Sequence, residues 1–93
     1  MIEIRVSYKL IKDTPVAEDC KHLFARGYEE HEKLRKSTAS FLIDKFRENA
    51  KAAGYKDYDS KPLECRYNHL KCAFEIYELV PYIYDDEKNE VQP

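Results

Sequence analysis

Apolar and polar side chains alternate at the beginning of the chain. The apolar positions are Ile2, Ile4, Val6, Tyr8 and Leu10. A period of two with β-branched and aromatic side chains is typical of a strand that buries one face, so we predict a strand over residues 2–11. Asp13 or Thr14 could then cap a helix, and Pro15 suits the first helical position.

From Val16 the spacing of apolar residues changes to three and four, which predicts a helical face. Its members are Val16, Cys20, Leu23, Phe24, Tyr28, His31, Leu34, Phe41 and Leu42. The helical pattern continues to Ala53, and Gly54 is a natural stop. One unbroken helix would be about 58 Å long at 1.5 Å per residue. A compact domain of this length has a radius of gyration of only about 12 Å, so a break is required.

Two places could hold this break. Gly27 is the first candidate, and residues 37–40, a segment rich in Ser and Thr, are the second. We favour Gly27, which divides the region into a short first helix ending near Arg26 and a longer second helix over residues 28–53. Both helices would then fit a small domain.

The second half of the chain contains two more alternating runs. Residues 63–67 and 70–76 flank Asn68 and His69, which predicts a hairpin with a tight turn. Residues 79–84 are predicted to add an edge segment, because Pro81 is tolerated only where its missing N–H is harmless. The order is β-α-α-β-β. We therefore predict an α+β fold, a small two-layer domain in which two helices pack the apolar face of an antiparallel sheet of three or four strands.

Composition places this fold in a single domain. The chain has 93 residues, 43% of them hydrophobic, which is enough for one core and excludes general disorder. We assign residues 1–84 to the domain. Residues 85–93 hold four acidic side chains and one lysine, a net charge of −3, and are expected to form a mobile acidic tail.

Several classes of function are disfavoured. Two glycines cannot build a glycine-rich phosphate loop, and no stretch approaches the roughly 20 apolar residues of a membrane helix. Three cysteines, an odd number without an export signal, indicate reduced thiols and a cytoplasmic location. Cys65, His69 and Cys72 could ligate zinc with His22 or His31 as a fourth ligand, but their spacing fits no usual ligand pair. We expect no catalytic site, no metal and no cofactor.

Two surfaces remain as candidates for binding. One is a basic row on the longer helix, partly neutralised by Glu29 and Glu32 four residues earlier. The other is formed by tyrosines, in the loop after that helix and in residues 82–87 beside the acidic tail. Exposed Tyr provides large contact area at low entropic cost. The predicted partner-binding residues are Lys33, Lys36, Arg47, Lys51, Tyr55, Tyr58, Tyr82 and Tyr84.

The chain resembles the small early or accessory proteins of T-even-type phages. The similarity lies in its short length and in phrases rich in Tyr, Lys, Asp and Glu, such as YKDYDSKPLECRYNH and YIYDDEKNE. The resemblance implies a protein that acts without catalysis, by binding a host enzyme, a defence toxin or a nucleic acid.

These observations support three hypotheses. The first is a non-enzymatic protein that binds a macromolecular partner stoichiometrically, for instance a phage inhibitor of a host or defence protein. The second is binding of RNA or single-stranded DNA through the basic row, with Tyr55 and Tyr58 as stacking groups. The third is a homodimer formed through an exposed strand edge.

Overall fold

The computed structural model describes residues 2–85. Within this range the chain forms three strands, one α-helix and two short 3₁₀ helices. They are β1 (Ile2–Pro15), η1 (Glu18–Phe24), α1 (Glu29–Ala52), η2 (Lys56–Asp59), β2 (Leu63–Asn68) and β3 (Ala73–Asp85). The predicted α+β class and antiparallel sheet are confirmed, and the sheet has three strands. Residues 86–93 of the predicted acidic tail lie outside the described range.

β3 is the central strand and pairs antiparallel with both neighbours, in the order β1-β3-β2. The prediction of a separate edge segment over residues 79–84 was wrong, since these residues continue β3. The predicted strand over residues 70–76 begins only at Ala73, and residues 69–72 form the turn. Cys72 takes a positive φ of 52° in that turn, a conformation that local spacing alone does not reveal.

β1 is longer than the alternating pattern predicted. It continues to Pro15, because Thr14 and Pro15 pair with Phe74 and Ala73. A register shift between Leu10 and Lys12 leaves Ile11 as an extra residue, as in a β-bulge. The predicted helix start at Pro15 was therefore wrong, because pairing with β3 overrides the local capping signals.

The break in the helical region lies at Gly27, as predicted. Gly27 has a φ of +96°, which allows the chain to turn between η1 and α1. α1 ends in a Schellman motif at Gly54, whose φ is +91°. In that motif the N–H of Tyr55 donates to the Ala50 carbonyl at 2.8 Å, and the N–H of Gly54 donates to the Lys51 carbonyl at 3.0 Å.

The core is small and lies on one face of the sheet, against η1 and α1. Its buried apolar residues are Phe24, Phe74 and Ile76, while Ala73, also buried, lies on the other face of β3. The Phe24 ring lies 5.1 Å from the Phe74 ring and 5.4 Å from the Tyr67 ring, and α1 packs against β2. Since side chains alternate across a strand, the apolar set of β1 points to the opposite face. The prediction that the helices bury this set was wrong, and residues 2–10 are all exposed.

The resulting molecule is extended. Its radius of gyration is 16.3 Å and its principal extents are 49 × 37 × 19 Å. A compact chain of this length would have a radius of gyration of about 12 Å. The excess arises because β1 and the second half of β3 project beyond the helices as a two-stranded ribbon.

Candidate functional site: the open face of the sheet

The face of the sheet that points away from the helices carries a continuous set of apolar side chains. We call this surface the open face. It comprises Ile2, Ile4, Val6, Tyr8 and Leu10 of β1 and Tyr77, Leu79, Pro81 and Ile83 of β3. Ile2 is 69% exposed, Ile4 77% and Ile83 58%. Contiguous apolar patches on monomers mark binding surfaces, whereas scattered apolar residues do not.

Cross-strand pairing fixes the geometry of the open face. Ile4 lies opposite Ile83, and Val6 lies opposite Pro81. Farther along, the Tyr8 ring meets the Tyr77 ring edge-on, with centroids 6.1 Å apart and an interplanar angle of 84°. The middle of the face is thus held by backbone pairing and ring packing, which presents its apolar side chains in a fixed arrangement.

A polar cluster closes one end of the open face. Glu75 is only 5% exposed. Its carboxylate accepts hydrogen bonds from Tyr77 Oη at 2.8 Å, Asn68 Nδ2 at 3.3 Å and Lys71 Nζ at 3.5 Å. These donors, the Tyr77 hydroxyl first, hold the pKa of Glu75 below its ordinary value, and the same bond raises the pKa of Tyr77.

An arginine adds to this polar end. The guanidinium of Arg66 lies 4.4 Å from the centroid of the Tyr8 ring and 2.7 Å from a carboxylate oxygen of Glu64. The open face is therefore apolar along the ribbon and polar with mixed charges where the ribbon meets β2. A partner that covers it must match both parts.

The predicted basic row does not form one free cationic surface. Lys33 and Lys36 pair with Glu29 at 3.6 Å and Glu32 at 3.3 Å. These are exposed pairs, which contribute little to stability and leave little net charge. The first half of the row is therefore largely neutralised by its own helix.

The two residues in the second half of the row have different surroundings. Arg47 donates to the backbone carbonyls of Tyr58 and Asp59, and so ties η2 to α1. Lys51 is exposed near the end of α1. The Nη1 group of Arg47 thus serves the fold.

The four predicted tyrosines lie apart from the open face. Tyr55 is 65% exposed, whereas the Tyr58 ring packs edge-on against Phe46 at 5.0 Å. Tyr82 and Tyr84 alternate with the open-face residues of β3 and therefore point to the other side of the ribbon. The guanidinium of Arg5 lies 3.6 Å over the Tyr84 ring. The structure does not bring these two tyrosine pairs together.

A groove separates α1 from the later part of β1. Its volume is about 700 Å³, and Leu42, Phe46 and Ile76 contribute apolar walls, with Lys12 and Lys45 also in the lining. Within the described part of the chain, this lining includes no carboxylate, imidazole or thiol. The polar side chains in the lining are those of Lys12, Thr14, Lys45, Asn49, Tyr55 and Tyr58.

The cysteine and histidine residues near the hairpin turn have structural surroundings. Burial raises the pKa of the Cys65 thiol to about 11, which keeps it protonated at neutral pH. The ring of His69 packs against Tyr67 at 4.9 Å, and burial together with Arg26 and Arg35 lowers its pKa. No group of three or more His, Cys, Asp or Glu among residues 2–85 is placed to hold a metal ion.

Comparison with protein-family models, with curated proteins and with solved structures finds no match to this chain. The resemblance to small phage proteins stays a prediction. No helix in the range 2–85 is long and apolar enough to span a bilayer.

Sequence reasoning identified the residues of the open face on β1 but assigned them to the core. Alternation shows which side chains share a face, and it carries no signal for what covers that face. The β3 members of the surface depended on pairing between residues at opposite ends of the chain.

Proposed function

We propose that this protein is a non-enzymatic binding domain that acts stoichiometrically, by placing its open face on another protein. The observation that supports this proposal is the exposure of Ile2, Ile4 and Ile83, together with their neighbours, on one continuous face. Protein interfaces have apolar centres and polar rims. The open face has the same composition, with the Glu75 and Arg66 clusters as part of its rim.

A protein partner fits this surface better than a nucleic acid does. Nucleic acids are held mainly by cations that neutralise phosphates. Arg66 and Lys71 at the polar end of the open face are each paired with a carboxylate. The apolar part of the ribbon offers nothing to a phosphate backbone but complements an apolar patch on a folded protein.

Inhibition is the specific form of binding that we propose. A small protein that acts without catalysis affects its target by covering a surface that the target needs. The resemblance to T-even-type phage accessory proteins makes a host or defence protein the class of target to examine first. The basis of this step is the amino-acid composition alone.

Binding of RNA or single-stranded DNA is the second candidate. Lys51 and Tyr55 favour it, because both are exposed and lie close together in the chain at the end of α1. A cation beside an exposed aromatic ring can hold a phosphate and stack on a base. With Arg47 and Tyr58 engaged in the fold, this surface is smaller than the sequence predicted.

Paired variants separate the two candidates. Ile4→Glu combined with Ile83→Lys makes the open face charged, while the two new side chains lie directly opposite and can pair across the strands. Lys51→Glu combined with Tyr55→Ser changes the end of α1 and leaves the open face intact. Each variant is tagged and purified natively from its own cells, with and without nuclease.

The proposal predicts a nuclease-resistant protein that copurifies with the wild type and the α1 variant but not with the open-face variant. The purified partner should then bind at a fixed molar ratio in isothermal titration calorimetry. Copurification lost on nuclease treatment, or lost only in the α1 variant, would contradict the proposal and favour nucleic-acid binding. Circular dichroism of both variants checks that each is folded.

A further inference from the structure

Within residues 2–85, the outer edge of β1 has no strand beside it. β1 is an edge strand of 14 residues, and residues 2–10 contain neither a proline nor a bulge. Natural proteins usually protect long edges with such features, because free backbone groups recruit further strands. The other edge differs, since β2 has only 6 residues and α1 packs against it.

The hydrogen bonds of β3 show which backbone groups of β1 point outward. The N–H of Leu79 donates to the Pro62 carbonyl at 3.0 Å, so Leu79 faces the β2 side. Backbone groups alternate in direction along an antiparallel strand, so Pro81 also faces away from β1. Val6 lies opposite Pro81 and therefore directs its own N–H and C=O to the free edge. By the same alternation, residues 2, 4, 8 and 10 do so as well.

The ribbon formed by residues 2–10 and 79–85 also lacks support. None of the helices in the described part of the chain covers residues 2–10, all of which are exposed. A two-stranded ribbon is marginally stable in water, and three or more strands with an apolar face are needed for stability. The ribbon is therefore a structure that gains stability when another strand is added at its edge.

We propose that a second copy of this chain occupies this edge. β1 of each copy pairs antiparallel with β1 of the other, around a two-fold axis that passes through Val6. The two three-stranded sheets then form one continuous sheet of six strands. An axis at Val6 pairs residues 2–10, which precede the bulge, with the same residues of the second copy.

Charge selects this register among its neighbours. With the axis at Val6, Glu3 lies opposite Lys9 of the second copy, and Lys9 lies opposite its Glu3. An axis at Ser7 would place Arg5 opposite Lys9, and an axis at Arg5 would place the two Arg5 side chains opposite each other. Like charges directly opposite are destabilising in a sheet, and opposite charges stabilise it.

Lys9 supports the same assignment. Among the residues that the structure describes, Lys9 has no ion-pair partner, while Glu3 pairs with Arg5 at 2.7 Å. The second copy would bring a carboxylate to Lys9.

A two-fold axis that passes midway between two residues of β1 is excluded. It would place outward-pointing backbone groups of one copy opposite inward-pointing groups of the other.

Apolar contacts and backbone bonds agree with this register. Ile2 lies opposite Leu10, and Ile4 lies opposite Tyr8, so that the open faces of the two copies join on the same side of the sheet. Hydrogen-bonded pairs exchange two bonds each, which gives about ten bonds between the chains. The open face itself stays uncovered, so this inference does not depend on the proposed function.

Charge variants test the register. Glu3→Lys places two lysines opposite each other at both ends of the pairing, and Lys9→Glu places two glutamates there. We expect each variant alone to raise the dimer dissociation constant by about 10- to 30-fold. An equimolar mixture of the two variants should restore dimers, because every opposed pair is then of opposite charge. Sedimentation velocity measures both effects against the chain mass of 11.1 kDa.

Val6→Pro provides a second test. The Val6 N–H points to the free edge, so a proline there removes no hydrogen bond to β3 but removes two bonds at the axis. We expect a folded monomer, with folding checked by circular dichroism. Ile83→Ser, on the same face but away from the edge, is the matched control and should remain dimeric.

Three results would overturn the inference. They are a wild-type chain that stays monomeric at millimolar concentration, a Val6→Pro variant that remains a dimer, and a mixture of charge variants that forms no more dimer than either alone. If the Lys9→Glu variant formed a stronger dimer than the wild type, the result would instead indicate a two-fold axis at Ser7. Failure of the edge variants to change partner copurification would leave the proposed function unaffected, so that the two proposals fail separately.

Discussion

The two halves of β3 have the same backbone geometry and opposite surroundings. Ala73, Phe74, Glu75 and Ile76 are all buried between β1 and β2, and Phe74 and Ile76 also face the helices. Beyond Leu79, whose N–H still bonds to Pro62, the described part of β3 pairs with β1 alone, and Ile83 is 58% exposed. One strand therefore serves as core at one end and as surface at the other.

This difference separates stability from recognition in the molecule. Burial of apolar area drives folding, so the first half of β3 contributes most of the stability. The second half contributes little in the isolated chain, and its apolar side chains are free to contact another molecule. The ribbon is the part on which we base both proposals, and the following substitutions test the division.

The largest effect is expected at Ile76, which is 1% exposed. Ile76→Ala leaves a cavity in the core and should lower the free energy of unfolding by about 2–4 kcal/mol. Ile83→Ala, a matched change in the exposed half of the same strand, should alter it by less than about 0.5 kcal/mol. Urea denaturation measures both, and similar losses at the two positions would contradict the division.

A substitution at Arg47 tests the attachment of η2 to α1. Arg47→Ala removes the hydrogen bonds to the Tyr58 and Asp59 carbonyls and should cost about 1–2 kcal/mol of unfolding free energy. Thermal unfolding followed by circular dichroism measures this loss. Lys51→Ala on the same helix is the control. A stable Arg47→Ala variant that loses partner binding would return Arg47 to the role predicted from the sequence.

Glu75 lies in the first half of β3, with its side chain on the open face. It makes the free energy of unfolding depend on pH. Because hydrogen bonds lower the pKa of Glu75 in the folded chain, its contribution is present above the unfolded value of about 4.3. The contribution is lost as the pH falls through the lower folded value. Glu75→Gln should therefore be less stable than wild type at pH 7, with a smaller difference at pH 3.

Urea midpoints at the two pH values measure this change. Glu30→Gln, an exposed carboxylate on α1, is the control and should show only a small difference from wild type at pH 7. A difference between wild type and Glu75→Gln that stayed constant from pH 7 to pH 3 would show that the effect is not due to charge.

The smallest effect is expected at Lys36. Its ion pair with Glu32 is exposed, so Lys36→Ala should change the free energy of unfolding by less than about 0.5 kcal/mol. Neither dimerisation through β1 nor partner binding through the open face should change. Loss of binding in this folded variant, measured by calorimetry with the purified partner, would move the binding surface back to α1.

Local sequence patterns predicted which helices and strands form better than they predicted where each one begins and ends. The break at Gly27 and the stop at Gly54 follow from the positive φ that each position requires. The strand from Ile2 followed from alternation. The extension of β1 to Pro15 was missed, because the signals for a helix start in residues 12–15 are local, and the pairing of Thr14 with Phe74 that overrides them is not.

The candidate site was less predictable than the fold. Of the predicted residues, Arg47 and Tyr58 are engaged in packing α1 against η2. Lys33 and Lys36 have partners on their own helix, and that pairing could be seen in the sequence at a spacing of four residues. The sequence pattern showed which apolar side chains of β1 share one face, but it did not show that this face is an exposed surface.

The sequence by itself determined the α+β class and the positions of the break and the end of the helical region, at Gly27 and Gly54. It also determined which apolar side chains share one face of β1. These depend on contacts between residues close in the chain. Only the tertiary structure decided that β3 is central, that the helices cover the other face, and that Ile2 pairs with Asp85. The reason is physical, since period and propensity act over a few residues, whereas the exposure of a face depends on which distant segment packs against it.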